Sequence, residues 1–346
     1  MSPAPQVSAD KAVRPLFVGI DVGGTSIKFG LVDDEGQTLA ASSIPTDASA
    51  GPEDATLRMH LEFGELLASI DTDPDEVIGV GLVTPGPIDI PNGIVLTPSN
   101  LPTWRHYPIR DRLVERVCKP VIFGNDANAA AFGEYWVGGG KAYPSIILLT
   151  LGTGIGAGII IGDLSIDGEH SHGSECGHII IDYKEDARLC TCGHRGHLEA
   201  YTSAWAITQR AEEMLVTPCS TSVRDRLKLG ANLSPLILAQ EAERGDGFAM
   251  DIIMEAATFL GIGIVSLVHT IDPGAVILGG AMNFGGADSE VGKKFLDRVH
   301  DEFRRRAFPI CAEKTVIDFA QLGGNAGYVG AAGLARSAHH QSVLTT

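Results

Sequence analysis

Positive charge is scarce in this chain. Lys+Arg number 26 against 43 Asp+Glu, a formal charge of −17 over 346 residues. Nonspecific binding to nucleic acid or to an anionic membrane needs clustered positive charge, so both are disfavoured. Cysteine is also sparse. The six residues (118, 176, 190, 192, 219 and 311) are too few and too scattered for a disulfide framework in a chain this long. Long apolar runs are missing as well. The longest, around 259–268, contains Gly and Ser and is too short to span a bilayer. The first fifteen residues lack the apolar core of a signal peptide. A soluble cytoplasmic protein is therefore expected, with no nucleic acid and no membrane among its partners. Disorder on a large scale is excluded by 44% hydrophobic and 20% charged residues.

Glycine is in surplus, with 42 of 346 residues against an average near 7%. Of these, 26 fall in six segments (19–30, 138–140, 152–162, 168–196, 279–286 and 323–333). The excess belongs to particular loops and is not spread over the whole chain.

Residues 16–21 (LFVGID) read as a buried strand, followed by Gly23-Gly24-Thr25 and a second strand at 27–32. The pattern recurs about 129 positions later: an apolar strand at 145–151, then Gly152-Thr153-Gly154, then 155–161. Strand, Gly-rich turn, strand, twice over, predicts a duplicated domain with a phosphate-holding loop in each copy. Between the copies lie a helix near 53–67, a strand at 77–83, a Pro/Gly-rich loop at 84–93, a helix near 109–117 and a strand at 120–124. Asn125-Asp126 leads into an Ala-rich helix, 127–137, with Asp126 placed to cap it. After 200, helices are expected near 202–215, 235–243 and 247–270, a strand at 275–278 ending in Gly279-Gly280, and a last Gly-rich loop at 323–327 opening a helix to 338. The alternation argues for α/β layers.

Glycine turns let backbone N–H groups approach phosphate oxygens, so an acidic protein can still hold a nucleotide. Asp21, ending the first strand, is the right type of residue to hold hydrated Mg²⁺ beside those phosphates. Lys28 has the charge to touch phosphate, but its local sequence favours a solvated strand residue. Asp126, at a strand-to-helix junction, suits a general base toward a substrate hydroxyl, although its local sequence favours a plain helix cap. Asn125 offers a donor and an acceptor beside it. The densest constellation is Glu175-Cys176-Gly177-His178 followed by Cys190-x-Cys192-Gly-x-x-Gly196-His197-x-Glu199. His178, Cys190, Cys192 and His197 form a plausible tetrahedral zinc set, with Cys176 and His194 as spares. Glu175 and Glu199 flank it as carboxylates able to clamp sugar hydroxyls.

Taken together these motifs resemble the ROK (repressor, open reading frame, kinase) family of sugar kinases. The resemblance runs from Phe17 to about Ala335. It rests on Asp21-Val-Gly-Gly-Thr25, Thr84-Pro-Gly-Pro-Ile-Asp89, Asn100-Leu-Pro-x-Trp104, Asn125-Asp-Ala-Asn128, Gly133-Glu134, Leu151-Gly-Thr-Gly-Ile-Gly156, Glu175-x-Gly-His178, the Cys/His cluster with Leu198-Glu199-Ala-Tyr201, Leu278-Gly-Gly280 and Gly323-x-x-Ala-Gly327-x-x-Gly330-Ala. It implies two duplicated RNase H-like domains of the actin/hexokinase/Hsp70 ATPase fold with a cleft between them: 15–128 plus about 330–346, and 129–329. It also implies phosphorylation of a hexose by ATP and Mg²⁺, most often glucose at O6, by a homodimer carrying a structural Zn²⁺. Asp126 becomes the general base. Gly86, Asn125, Asp126, Glu175, His178 and Glu199 hold the sugar. The loops at Gly23, Gly24, Thr25 and at Gly152, Thr153, Gly154 hold phosphates, and Gly279 and Gly280 lie near the adenosine. His178 both ligates zinc and contacts sugar.

Two positions depart from the family pattern. His197 stands where a third Cys is usual, which predicts a Cys₂His₂ site, since imidazole is a competent ligand. Ser174 stands where Gly is common before the Glu. The segment 216–233 is longer than the pattern and reads as a surface insertion. Kinases for fructose, N-acetylglucosamine, N-acetylmannosamine or allose share these motifs, and polyphosphate is an alternative donor. A sugar-sensing regulator is a non-enzymatic reading, disfavoured by the acidic charge, the intact Asp126 and the lack of a DNA-binding segment before the first strand. A dinucleotide-dependent oxidoreductase would read Gly152-x-Gly154-x-x-Ala157 as a Rossmann turn, against which stands the strand-like Ile159-Ile160-Ile161.

Overall fold

The structure is a computed structural model and describes residues 8–344. In chain order the strands and helices begin with β1 (Leu16–Val22), β2 (Ser26–Val32), β3 (Thr38–Pro45), α1 (Pro52–Ala68), β4 (Val77–Thr84), β5 (Ile88–Asp89), β6 (Ile94–Val95), α2 (Ile109–Val117), β7 (Val121–Asn125) and α3 (Asp126–Val137). The second set is β8 (Ser145–Leu151), β9 (Ile155–Ile161), β10 (Leu164–Ser165), α4 (Glu199–Thr202), α5 (Ala204–Leu215), α6 (Ser222–Lys228), α7 (Pro235–Glu243), α8 (Gly247–Ile271), β11 (Ala275–Gly279), α9 (Glu290–Arg306), α10 (Pro309–Lys314), β12 (Val316–Phe319) and α11 (Ala326–Leu344).

The repeat expected from the sequence is realised strand for strand. One sheet runs β3-β2-β1-β4-β7 and the other β10-β9-β8-β11-β12. In the first, β1 and β4 and then β4 and β7 pair in parallel beside an antiparallel hairpin. In the second, β8, β11 and β12 pair in the same parallel sense. The fold is thus an α/β architecture of duplicated actin/hexokinase-like ATPase units. Because β9 is a strand, the segment after Gly154 does not open the helix a Rossmann turn requires, and the oxidoreductase reading falls.

Residues 8–142, Gly158–Ser174 and 322–344 form one compact unit, and Tyr143–Ala157 with Glu175–Gln321 form the other. The sequence placed a boundary at 128/129 and returned the chain near 330. Instead all of α3 stays with the first unit, because α3 and α11 pack backbone to backbone. A Cβ on Gly330 would fall on the carbonyl of Ala129, and one on Gly133 would lie 2.7 Å from the carbonyl oxygen of Ala326. Gly19 and Gly81 admit α11 onto the sheet in the same way. The core of this unit is built from Leu16, Val18, Ile20, Ile27, Phe29 and Leu82 against α1 and α2.

In the second unit α8 is long and apolar enough to cross a bilayer by composition. Twelve of its residues, from Phe248 to Val268, are nevertheless buried, so it is the central core helix. Among the elements not expected are α9 and β12, although Val291, Phe295, Val299 and Phe303 repeat at helical spacing and are all buried. The insertion at 216–233 contains α6. Its N-cap, Thr221, donates through its hydroxyl to Asp246 (2.9 Å).

Candidate active site and metal centre

In the first unit, β7 ends at Asn125 and α3 begins at Asp126. The expected cap is displaced by one residue. Asn125 is the N-cap, its Oδ1 accepting from the N–H groups of Ala127 (2.9 Å) and Asn128 (3.1 Å). Asp126 is the first helical residue and accepts from Ala127 N–H at 2.8 Å. A carboxylate in the first turn is favoured by the helix dipole. Asn125 and Asp126 thus share the Ala127 donor, and Asn125 alone takes that of Asn128. Asn125 has spent its acceptor on the cap and retains its amide as donor, aimed toward Gly86, where a Cβ would lie 3.9 Å from Asn125 Nδ2.

Asp21 lies opposite Lys28 in the β1–β2 pairing. Gly327 of α11 packs directly on its carboxylate, leaving no room for a Cβ. Burial first, and then the charge of Asp126, raise the Asp21 carboxyl from 3.8 to about 6, with Lys28 partly offsetting them. Two carboxylates that repel each other in a buried place form a donor set that a divalent cation relieves. Lys28 donates from Nζ to the Gly324 carbonyl at 2.8 Å. Its ammonium therefore anchors the loop before α11. The turn at Gly23–Thr25 is closed by Gly23 N–H to the Ser26 carbonyl (2.9 Å) and by the Thr46 hydroxyl to the Gly23 carbonyl (2.6 Å).

In the second unit, the turn at 152–154 is closed by Gly152 N–H to the Gly154 carbonyl at 3.0 Å. Gly280 has φ +90, and a Cβ there would strike the backbone of Leu151. That close approach lets Met282 N–H reach the Leu151 carbonyl at 2.9 Å. Beside the turn opens a largely apolar cavity of about 480 Å³, walled by Gly152, Thr153, Leu236, Gln240, Met282 and Phe284. Its size and lining suit a nucleoside. Gly279 and Gly280 shape the approach to this cavity without lining it. The residues of α7 on its wall had no motif to announce them.

The four expected metal ligands converge. The ligating atoms of His178, Cys190, Cys192 and His197 all lie within 4.8 Å of one another. Nδ1 of His197 is 3.2 Å from Cys192 Sγ and 3.3 Å from Nδ1 of His178, and Cys190 Sγ is 3.8 Å from the latter. Two soft thiols and two imidazoles at these separations fit a tetrahedral zinc ion. The spares Cys176 and His194 are not in the group. Cys176 is buried, and burial pushes its thiol up to about 12.

His178 ends a short turn, Cys176–His178, and presents Nε2 3.9 Å from Glu175 Oε2 while Nδ1 faces the thiol and imidazole group. One ring thus offers a different nitrogen to each side. Glu175 itself is exposed. Glu199 is not. It is 8% exposed, Oε2 accepts from Ile155 N–H (2.9 Å) and Oε1 accepts from the Thr191 hydroxyl (2.9 Å). Ser174 adopts φ +65, which explains why glycine is the common choice there. Its hydroxyl donates to the Ile166 carbonyl at 2.9 Å and holds the strained turn.

A duplicated ATPase-like sheet, Gly-rich turns and a Cys/His loop define the class: a protein of the actin/hexokinase-like fold with a loop of thiols and imidazoles able to hold a metal. The ROK family profile matches residues 17–338, and the chain belongs to the ROK family. It is 33% identical over 329 residues to a glucokinase of Streptomyces coelicolor, covering 93% of this chain and 98% of that one. It is similar in structure (TM-score 0.72, 36% identity) to a ROK family glucokinase from Streptomyces griseus solved with glucose and AMPPNP, covering 93% and 99% of the two chains. It is also 32% identical over 264 residues to a xylose repressor of Bacillus subtilis, covering 75% of this chain and 63% of that one.

Proposed function

We propose that this chain transfers the γ-phosphoryl group of ATP to the 6-hydroxyl of glucose. The observation that carries the reading is Asp126, a carboxylate in the first turn of α3 beside the Asn125 cap, in a chain so similar to glucokinases. Asp126 accepts the proton of the attacking hydroxyl. Gly86, the Asn125 amide, Glu175 and the Nε2 face of His178 hold the other hydroxyls. Glu199 is the least available of the sugar set, with both oxygens already accepting hydrogen bonds. The turns at 23–25 and 152–154 take the phosphates through backbone N–H groups, and the cavity beside Thr153 takes the adenosine. Asp21 holds magnesium, which when bound screens the charge developing on the phosphoryl oxygens. His178, Cys190, Cys192 and His197 hold a structural zinc, which supplies order to the loop and no chemistry. The enzyme is proposed to work in the cytoplasm as a homodimer, the latter checked by light scattering.

A second reading, a sugar-responsive regulator, is favoured by the likeness to a xylose repressor. An ADP-release assay across hexoses and N-acetylhexosamines, with ATP or polyphosphate as donor, separates the readings. The expected result is highest turnover with glucose and ATP. Preference for another sugar overturns the glucose assignment. Sugar binding without any turnover favours the regulator.

A further inference from the structure

The first Gly-rich turn, at 23–25, is braced from outside by one buried residue that belongs to none of the motifs. The strand β3 ends at Pro45, which pairs with Ser26 and has no N–H to carry the ladder further. Thr46 follows and is fully buried. Its N–H donates to the Thr25 carbonyl at 3.0 Å, and its hydroxyl donates to the Gly23 carbonyl at 2.6 Å. Its own carbonyl accepts from Arg58 Nη2 at 2.6 Å. Arg58 is held in turn by Asp54, one turn earlier on α1, at 2.7 Å. Every polar group of Thr46 is thus engaged, and two of them grip the turn.

Those two bonds decide where the N–H groups of the turn point. In a trans peptide the carbonyl of one residue and the N–H of the next face opposite ways. The peptides after Gly23 and Thr25 are trans. A Gly23 carbonyl drawn onto the Thr46 hydroxyl therefore turns the Gly24 N–H away from Thr46. The Thr25 carbonyl, drawn onto the Thr46 N–H, does the same to the N–H of Ser26. The Gly23 N–H is already closed onto the Ser26 carbonyl at 2.9 Å. Among the described residues the Gly24 N–H meets no protein acceptor, which leaves it for a ligand.

We infer that Thr46 is a positioning residue for the phosphoryl donor: its hydroxyl fixes the peptide planes of the 23–25 turn so that their N–H groups are aimed before phosphate arrives. The inference rests on the kinase reading and deepens it. Two adjacent glycines have backbone freedom that a phosphate site must give up, and giving it up on binding weakens the ligand. A hydroxyl on a stiff β-branched side chain removes that freedom in advance. Valine keeps the shape of threonine and loses the donor, whereas serine keeps the donor.

The test compares Thr46→Val with Thr46→Ser. ADP release is followed at saturating glucose with ATP varied, and glucose affinity is measured by calorimetry without nucleotide. In Thr46→Val the expected result is a fall of at least about tenfold in kcat/KM for ATP, with glucose affinity within about twofold of wild type. Thr46→Ser should recover most of the loss. A general weakening of the unit would lower glucose affinity as well, and that outcome overturns the inference. A folded Thr46→Val that keeps kcat/KM for ATP within about twofold also overturns it. So does a Thr46→Ser as impaired as Thr46→Val, because the methyl group and not the hydroxyl would then matter. Should Thr46→Val not fold, Arg58→Met releases the Thr46 carbonyl while keeping an apolar stem, and kcat/KM for ATP should fall at least about threefold. An unchanged value there overturns the brace. Wild-type protein that releases no ADP with any hexose would instead sink the kinase reading, and the inference with it.

Discussion

Two carboxylates of the first unit carry the proposed chemistry, Asp126 as base and Asp21 as magnesium ligand. Asp126 stands at the head of α3 beside the Asn125 cap. Asp21 is pressed beneath Gly327, where burial and the Asp126 charge disfavour its ionised form. Replacing Asp126 by Asn should lower kcat by a factor of about 10² to 10⁴, the usual worth of a positioned base, with sugar affinity nearly intact. Steady-state kinetics alongside glucose binding checks this. A variant keeping more than a tenth of the activity removes Asp126 from the role. Asp21 makes the reverse demand on stability. Its folded carboxyl lies above its unfolded value of 3.8, at about 6, so the folded state binds the extra proton. Stability from this group is complete below about pH 4 and is lost as pH rises through about 6. At pH 7 the ionised Asp21 costs the metal-free protein up to about 3 kcal/mol. Asp21→Asn should therefore melt at a higher temperature than wild type in metal-free buffer at pH 7 while losing activity, and a lower melting temperature contradicts this origin. In the wild type, activity at limiting Mg²⁺ should fall as pH drops through about 6, and excess Mg²⁺ should shift that limb to lower pH, as protons and cation compete for one carboxylate.

At the scale of elements, glycine does two different jobs. In the turns it permits tight backbone, as at Gly280 with φ +90. Between α3 and α11 it permits contact, as at Gly330 against the Ala129 carbonyl. The first kind was legible in the sequence as Gly-rich punctuation between strands. The second was not, because the partner of Gly330 lies two hundred residues away. Glu134 shows the same limit. It is fully buried in α3, and its carboxylate accepts from Gly139 N–H (2.8 Å) and Leu322 N–H (2.7 Å), fastening the first unit close to its first and last boundaries, 142/143 and 321/322. The Gly133-Glu134 motif was visible, but its purpose needed the two backbone donors in place. Glu134→Ala leaves both N–H groups unpaired in the interior, and a loss of about 2–4 kcal/mol is expected. Calorimetric or denaturant unfolding measures it, and a loss near zero would show that water replaces the carboxylate. The strand β12 escaped the sequence for another reason. It is a four-residue edge strand with every second residue exposed, too short for its alternation to register.

For the whole molecule, the strongest expectation still open to direct measurement is the metal. His197 replaces a thiol with an imidazole, and the four ligating groups nevertheless come within 4.8 Å of one another. The purified protein should carry about one zinc per chain by elemental analysis. Chelation should lower its melting temperature, because ligands gathered from a loop bind metal only when the loop is folded. Protein purified without chelator and devoid of zinc would overturn the Cys₂His₂ assignment.

What the amino-acid order determined alone is the local grammar. Continuous apolar runs made the strands, glycine broke them into repeated turns, and the spacing of Cys and His marked a ligand set, because these properties depend on near neighbours. Which residue caps α3, which carbonyl Lys28 reaches and which neighbours Glu199 joins were decided only by tertiary structure. Each is a competition for one hydrogen-bond partner, and the competitors Gly324, Ile155 and Thr191 reach Lys28 or Glu199 only once the chain has folded.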